Sequence, residues 1–164
     1  MKRLKTACLL AVCMTAWCAV QAQTPDGLGI GIIIGEPTGL SIKKWLGGDR
    51  AVDAGIAWSF SENDSLHLHA DYLWHRFDIL GTAGSANRVP LYFGLGGRVK
   101  LKEENDGRGR NDADALVGLR VPFGISYLFK EVPADVFAEI VPILDVAPDT
   151  DFEMNAAIGA RLYF

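Results

Sequence analysis

Charged side chains recur at alternate positions inside otherwise apolar segments of the chain. The set is Arg98, Arg120, Arg161, Glu139, Asp71 and His69. Alternate residues of a β-strand point to the same face, and arginine pairs with carboxylates through two parallel hydrogen bonds. Charges that leave water need such partners. The spacing therefore predicts a network of interior ion pairs that Asp53 and Lys43 could join, either as a plug that fills a narrow barrel or as the lining of a gated polar path.

The histidines could do other chemistry. His67, His69 and Asp71 share one strand face, and two imidazoles with a carboxylate could ligate zinc. A tetrahedral site also needs ligands from neighbouring strands, and His75 is the only further histidine. We therefore favour a hydrogen-bonded interior and expect no metal site.

A serine–histidine enzyme is a second possibility. Ser59, Ser61 and Ser65 lie close to His67 and His69. A nucleophilic serine needs a base that a third group orients, and the sequence offers no clear third group. We expect a protein without enzymatic activity.

Glycines at positions 27, 29, 31 and 35 do not match the G-x-G-x-x-G fingerprint, because position 34 is isoleucine. Glycine within a strand more often marks close packing or a bend. We expect no cofactor.

The elements that position these residues follow from the alternation of apolar with small or polar residues. The terminal segment is the clearest, with Phe152, Met154, Ala156, Ile158, Ala160, Leu162 and Phe164 on one face. Segments of this kind, separated by turn-forming clusters, are typical of a sandwich or barrel. The predicted strands cover 27–35, 38–46, 51–60, 65–77, 89–101, 115–129, 136–146 and 152–164. No segment keeps a helical period, so the prediction is an all-β fold in a single domain, 23–164.

The first 22 residues have the features of a secretory signal. Lys2, Arg3 and Lys5 precede an apolar run, and Val20 and Ala22 are the small residues of a cleavage site before Gln23. All three cysteines lie in this segment, so the mature chain has no disulfide. It would also lose three of the 16 basic residues and none of the 20 acidic ones, which leaves a net charge of −7. That balance argues against nucleic acid as a partner.

The two strand faces indicate which side of the barrel meets which solvent. One face is apolar, whereas the other combines glycine with a few charges and lacks the many Lys and Glu of a water-soluble surface. Aromatic residues of the apolar face fall near strand ends, as in interfacial girdles. We therefore predict the apolar face outside and the charged face inside, the pattern of an outer-membrane barrel. A soluble, lipocalin-like barrel that binds an apolar ligand is the alternative and requires the opposite assignment.

The leader, the eight alternating strands and the terminal aromatic residue resemble the small eight-stranded bacterial outer-membrane β-barrels, the class that includes the OmpA transmembrane domain, OmpX and OmpW. The resemblance covers the whole mature chain and is one of architecture. It implies a transmembrane up-and-down antiparallel barrel in the outer membrane of a Gram-negative bacterium, surrounded by lipids and lipopolysaccharide. It also implies that the terminal strand, with Tyr163 and Phe164, is the signal that the barrel-assembly machinery reads.

Strand parity then predicts an orientation. If Phe164 lies at the periplasmic rim, both termini are periplasmic and the polar segment 102–114 is an outer loop, a candidate contact for an extracellular ligand. The connection 78–88 is long for a periplasmic turn and fits this scheme poorly. We expect a monomeric, non-enzymatic envelope component, with a narrow channel or carrier for small or hydrophobic molecules as the second possibility. The resemblance implies a third, a lipid A deacylase or acyltransferase that pairs a histidine with a serine, because some small outer-membrane barrels have that activity.

Overall fold

The computed structural model describes residues 27–59, 65–80, 88–106 and 110–164, and the predicted signal segment lies outside these residues. Nine antiparallel strands make up the described fold. They are β1 (Leu28–Glu36), β2 (Thr38–Gly47), β3 (Arg50–Ser59), β4 (Ser65–Arg76), β5 (Leu91–Asp106), β6 (Arg110–Arg120), β7 (Phe123–Leu128), β8 (Ala134–Ala147) and β9 (Asp151–Tyr163). Among these residues no helix has the length and apolar character needed to cross a membrane.

The strands close into a ring. Strands β1 to β5 pair in sequence order, β8 pairs with β9, and β1 pairs with β9 from Gly29 opposite Tyr163 to Glu36 opposite Ala156. Backbone hydrogen bonds between Leu28 and Phe164, of 3.2 and 3.1 Å, complete this seam. β6 and β7 each pair with β5 on one side and β8 on the other, so together they form one position in the ring. The fold is a closed antiparallel barrel of eight strands, which confirms the predicted architecture.

The barrel has two rims. The terminal rim holds Leu28 at the start of β1, Phe164 after β9, the turn at Gly48–Asp49 and the segments 77–80 and 129–133. The hairpin rim holds Pro37, the turn 148–150 and the adjoining ends of β5 and β6. These two rims are the reference points for every position given below.

The side chains alternate strictly between the lumen and the outer surface. Outward-facing residues of β9 such as Met154, Ile158 and Leu162 are exposed, whereas Asn155, Ala157 and Arg161 between them are buried or nearly so. The same alternation holds in β4, where His67, His69 and Asp71 are buried. The apolar face is therefore outside and the polar face inside, opposite to the faces that a lipocalin-like barrel requires.

Two predicted boundaries were wrong. The described part of the segment 102–114 is not a loop: β5 and β6 stay paired from Lys102 opposite Asp114 to Asp106 opposite Arg110, beyond the last pairs that β4 and β8 make with them. The continuous strand predicted over 115–129 is interrupted at Val121 and Pro122. Proline has no amide hydrogen for the ladder, and here its carbonyl accepts a hydrogen bond from the amide of Gly94 at 2.9 Å.

Candidate functional site: the charged interior

The middle of the lumen is organised around Arg120. Its Nε lies 3.1 Å from both carboxylate oxygens of Asp71, and its Nη2 lies 4.0 Å from Oε1 of Glu139. The Tyr92 hydroxyl donates a 2.8 Å hydrogen bond to Oε2 of Glu139. Both side chains of the Arg120–Asp71 pair are almost fully buried. Water therefore does not solvate this pair, and its two charges must neutralise each other.

A second group surrounds Arg161 of β9. Its Nε donates to the Ser41 hydroxyl at 2.8 Å, its Nη2 to Asp53, and its Nη1 lies 3.5 Å from Asp135. The guanidinium group also lies 3.8 Å above the centre of the Phe137 ring, a cation–π contact. One cation therefore holds two carboxylates from opposite sides of the barrel.

Lys43 is fully buried nearer the terminal rim. Its ammonium group contacts His75 Nε2 at 2.9 Å and lies 3.9 Å from Asp135, below the rings of Trp45 and Tyr92 at 4.5 and 5.5 Å. The Tyr163 hydroxyl donates to Asp135 at 2.8 Å. Aromatic and aliphatic side chains pack around this group and fill the end of the lumen: Trp45, Leu73, Tyr92, Leu128, Phe137, Phe77 and Tyr163.

A third group lies toward the hairpin rim. Arg98 pairs with both oxygens of Asp145, at 3.0 and 2.5 Å, and donates to Glu153 at 2.7 Å. Lys100 holds the other oxygen of Glu153, also at 2.7 Å. The Glu153 side chain is 27% exposed, so this group lies between the buried part of the lumen and solvent.

Glycines make these long-range pairs possible. Asp71, Gly96 and Arg120 lie opposite one another on three successive strands, and a Cβ on Gly96 would collide with the Asp71 carboxylate. Arg98, Gly118 and Asp145 form a similar row. In each row a long side chain passes over the glycine to reach a carboxylate two strands away.

Tyr92, Gly124 and Glu139 form a third row of this type, in which the Tyr92 ring would collide with a Cβ on Gly124. Arg161 reaches Ser41 in the same way, across Gly31. The inward-facing glycines therefore provide the clearance that the interior network needs.

The histidines do not form a metal centre or a triad within the described residues. His67 accepts from or donates to the Ser65 hydroxyl at 3.0 Å, and His69 lies 4.0 Å from Asp53. The Nδ1 atoms of both rings have no hydrogen-bond partner there, so no carboxylate orients the Ser65–His67 pair. No group of three metal-ligating side chains occurs in the described part of the chain.

The predicted site residues come together in part. All six predicted interior residues face the lumen, and Asp53 and Lys43 join them. Sequence reasoning missed four partners, Asp135, Asp145, Glu153 and Lys100, which complete the groups described above. Asp145, Glu153 and Lys100 have the inward parity of their strands, so parity was the signal available, whereas Asp135 lies just before the predicted strand 136–146.

Little free space remains in the middle of the lumen. A cavity beside Arg120, Glu139 and Asn155 offers about 10 Å³ to the centre of a water molecule. That is room for roughly one water. The interior is therefore filled at this level by the side chains themselves.

Fold and interior together define a closed eight-stranded antiparallel barrel with an apolar exterior and an ion-paired lumen. The N-terminal β-barrel domain of Pseudomonas aeruginosa OprF has a similar structure, with a TM-score of 0.64 and 17% sequence identity over 87% of this chain and 100% of that domain. Neisserial surface protein A (NspA) aligns with a TM-score of 0.48 and 15% identity, over 84% of this chain and 93% of that chain. No protein-family model and no curated protein matches the sequence.

Proposed function

We propose that this chain is an integral outer-membrane β-barrel protein of a Gram-negative bacterium, with a non-enzymatic role in the envelope and a lumen plugged by charges. The observation that carries the proposal is the inversion of the two faces. Large aliphatic and aromatic side chains cover the outside, whereas Lys43, Arg98, Arg120 and Arg161 are buried inside. In water this arrangement would leave the apolar surface solvated, whereas a bilayer buries it.

The height of the apolar surface fits a bilayer. The stretch of β9 from Phe152 to Phe164 is about 40 Å long at roughly 3.3 Å per residue. A strand tilt of about 40° reduces this to about 30 Å along the membrane normal, close to the apolar band of about 25 Å on outer-membrane barrels. Aromatic contacts border the band at the terminal rim, including Trp74 with Phe93 at 5.6 Å and Tyr127 with Phe129 at 4.9 Å.

The plug follows from the contacts across the lumen. Arg120 and Asp71, and Arg98 and Asp145, join strands that are not neighbours, and the aromatic group around Lys43 fills the terminal end. A continuous polar path would require these pairs to separate inside a poorly solvated space, which is costly for buried charges. We therefore favour a sealed barrel over a channel or carrier.

Orientation and partners complete the proposal. Phe164 is exposed at the terminal rim, which we assign to the periplasm, with Tyr163 and Phe164 as the strand end read by the barrel-assembly machinery. Lipopolysaccharide then surrounds the hairpin rim, and the extended β5–β6 hairpin is the candidate contact for an extracellular ligand. We propose a monomer, since ring closure leaves no strand edge at the seam between β1 and β9.

The enzymatic alternative is disfavoured by the direction of the Ser65–His67 pair. Both side chains are buried on the lumen face, away from the outer surface where the acyl chains of a lipid would lie. The described residues also give His67 no orienting carboxylate.

Fractionation of cells that express the full chain tests the proposal. We expect the protein in the outer-membrane fraction, with a gel mobility that changes on heating because the barrel resists detergent. Release into the soluble periplasmic fraction without detergent would refute membrane insertion. In planar bilayers a plugged barrel should show no defined conductance steps. Regular steps would refute the plugged lumen and support the channel hypothesis.

A further inference from the structure

The outer surface of β2 carries a cation inside an otherwise apolar stripe. Leu40, Ile42 and Leu46 face outward and are about half exposed, and Lys44 lies between the last two on the same face. Among the described outward-facing side chains of the strands, the other cations are the first residue of β3, Arg50, and the last of β4, Arg76. A lysine on the lipid face is costly at the bilayer centre and almost free at the interface. Lys44 therefore marks the level of the lipid headgroups at the terminal rim.

Lys44 has a second cation beside it. Lys44 lies opposite Val52 on β3, and Arg50 is two residues from Val52 on the same face. Diagonal neighbours of this type are about 7–8 Å apart. The Arg50 side chain is 62% exposed, and its contact with Asp49 is long, at 3.8 Å. No hydrogen bond or ion pair joins Lys44 to another described residue. Two positive charges thus lie close together, with only the long Asp49 contact to neutralise them within the described residues.

The surroundings of this pair have two further properties of a lipid site. Arg50 lies opposite Trp74, whose ring packs edge-on against Tyr72 at 4.8 Å and stacks on Phe93 at 5.6 Å. Such aromatic rings sit at the level of lipid headgroups. Below the cations, toward the middle of the barrel, Ile42 and Val52 are exposed and could contact an acyl chain.

We propose that Lys44 and Arg50, beside Trp74, bind the phosphate of an anionic phospholipid at the terminal rim. This inference rests on the proposed function, because it requires the apolar surface to lie in a bilayer. The phosphate would lie between the ammonium and guanidinium groups and reduce their mutual repulsion, while one acyl chain follows the apolar stripe of β2 and β3. Arg76 does not take part, since Asp78 already holds it through hydrogen bonds of 3.0 and 2.7 Å.

Native mass spectrometry of the purified full-length protein in detergent tests the site. The probes are phosphatidylglycerol, phosphatidylcholine and lipopolysaccharide, and the variants are Lys44→Gln, Arg50→Gln and both together. Each cation near an anionic lipid surface contributes enough for about a fivefold change in affinity. We expect about a fivefold loss of phosphatidylglycerol affinity in each single variant and about a 25-fold loss in the double variant, with phosphatidylcholine binding nearly unchanged.

Arg76→Gln is the matched control, because it removes a cation from the same rim that is already paired. It should change phosphatidylglycerol affinity by less than about twofold. Heat-modifiable gel mobility shows that each variant is folded. An unchanged affinity in a folded double variant, or an equal loss for both lipids, would overturn the site while the membrane insertion of the wild type still stands. A loss seen with lipopolysaccharide and not with phosphatidylglycerol would overturn the choice of lipid. A wild-type protein that does not enter membranes would overturn the proposed function itself.

Discussion

The ion pair between Arg120 and Asp71 gives the sharpest test of the plugged interior. Its side chains are 3% and 4% exposed, and Nε of Arg120 contacts both carboxylate oxygens. We consider three variants: Arg120→Met, Asp71→Leu and the two together. The apolar replacements preserve much of the side-chain volume and cannot form an ion pair. A single replacement therefore leaves one buried charge without its main partner.

The expected magnitudes follow from burial and from the remaining contacts. Breaking a buried pair by removal of one member destabilises by about 3–5 kcal/mol, whereas replacing both members by apolar residues is often close to neutral. Arg120→Met should be the more damaging single change, because Glu139 also lies 4.0 Å from the guanidinium group. Asp71→Leu leaves Arg120 with that second carboxylate. The double variant should lose no more than about 2 kcal/mol, which corresponds to a favourable coupling of at least about 4 kcal/mol between the two residues.

Urea unfolding of the barrel in lipid vesicles, followed by tryptophan fluorescence, measures these free energies. Asp78→Asn is the control, since its pair with Arg76 is exposed and should not change the unfolding midpoint measurably. Effects that simply add, with the double variant as unstable as the sum of its parts, would refute the idea that the two charges compensate each other in a poorly solvated lumen.

Two further comparisons use pairs of residues within the chain. Gly96→Ala should destabilise the barrel by about 1–3 kcal/mol because the new methyl group collides with Asp71. Gly97→Ala is the control and should be nearly neutral, because its methyl group meets only a backbone oxygen at 3.6 Å. Equal urea unfolding midpoints for the two variants would contradict this prediction. Arg161→Met should destabilise more than Lys43→Met, because two carboxylates depend on the guanidinium group and one on the ammonium group. The reverse order in urea unfolding would show that the aromatic surroundings of Lys43, and not the carboxylates, determine the loss.

The strands could be predicted because burial alternates with period two in a barrel wall one strand thick. Every observed strand outside the β5–β6 hairpin begins and ends within about two residues of its predicted limits, except at the break before β7. The segment 102–114 was mistaken for a loop because its sequence is almost entirely polar and shows no apolar alternation. The same alternation predicts whether each charged side chain faces the lumen or the outer surface.

The partners of each charge could not be predicted in the same way. Arg98 on β5 reaches Asp145 on β8, across the strand position occupied by β6. This contact depends on the stagger of the strands and on the clearance over Gly118, and both are properties of the closed ring. Parity places a residue inside the lumen but leaves its height unspecified. Asp135 adds a second difficulty, since β8 begins earlier than its apolar residues indicate.

The glycines contain the missing information in a form that the sequence alone does not reveal. Three rows of the barrel have a long donor, a glycine and an acceptor carboxylate on consecutive ring positions: Arg120–Gly96–Asp71, Arg98–Gly118–Asp145 and Tyr92–Gly124–Glu139. A donor on one strand cannot contact a carboxylate two strands away if a side chain stands between them. Glycine weakens a strand and is usually depleted there. Its recurrence at inward positions therefore lowers the stability of the strands, and the interior pairs that it makes possible offset this loss. Inward-facing glycines in this barrel therefore mark positions over which a long interior side chain passes. Those in the three rows are as much a part of the charge network as the arginines.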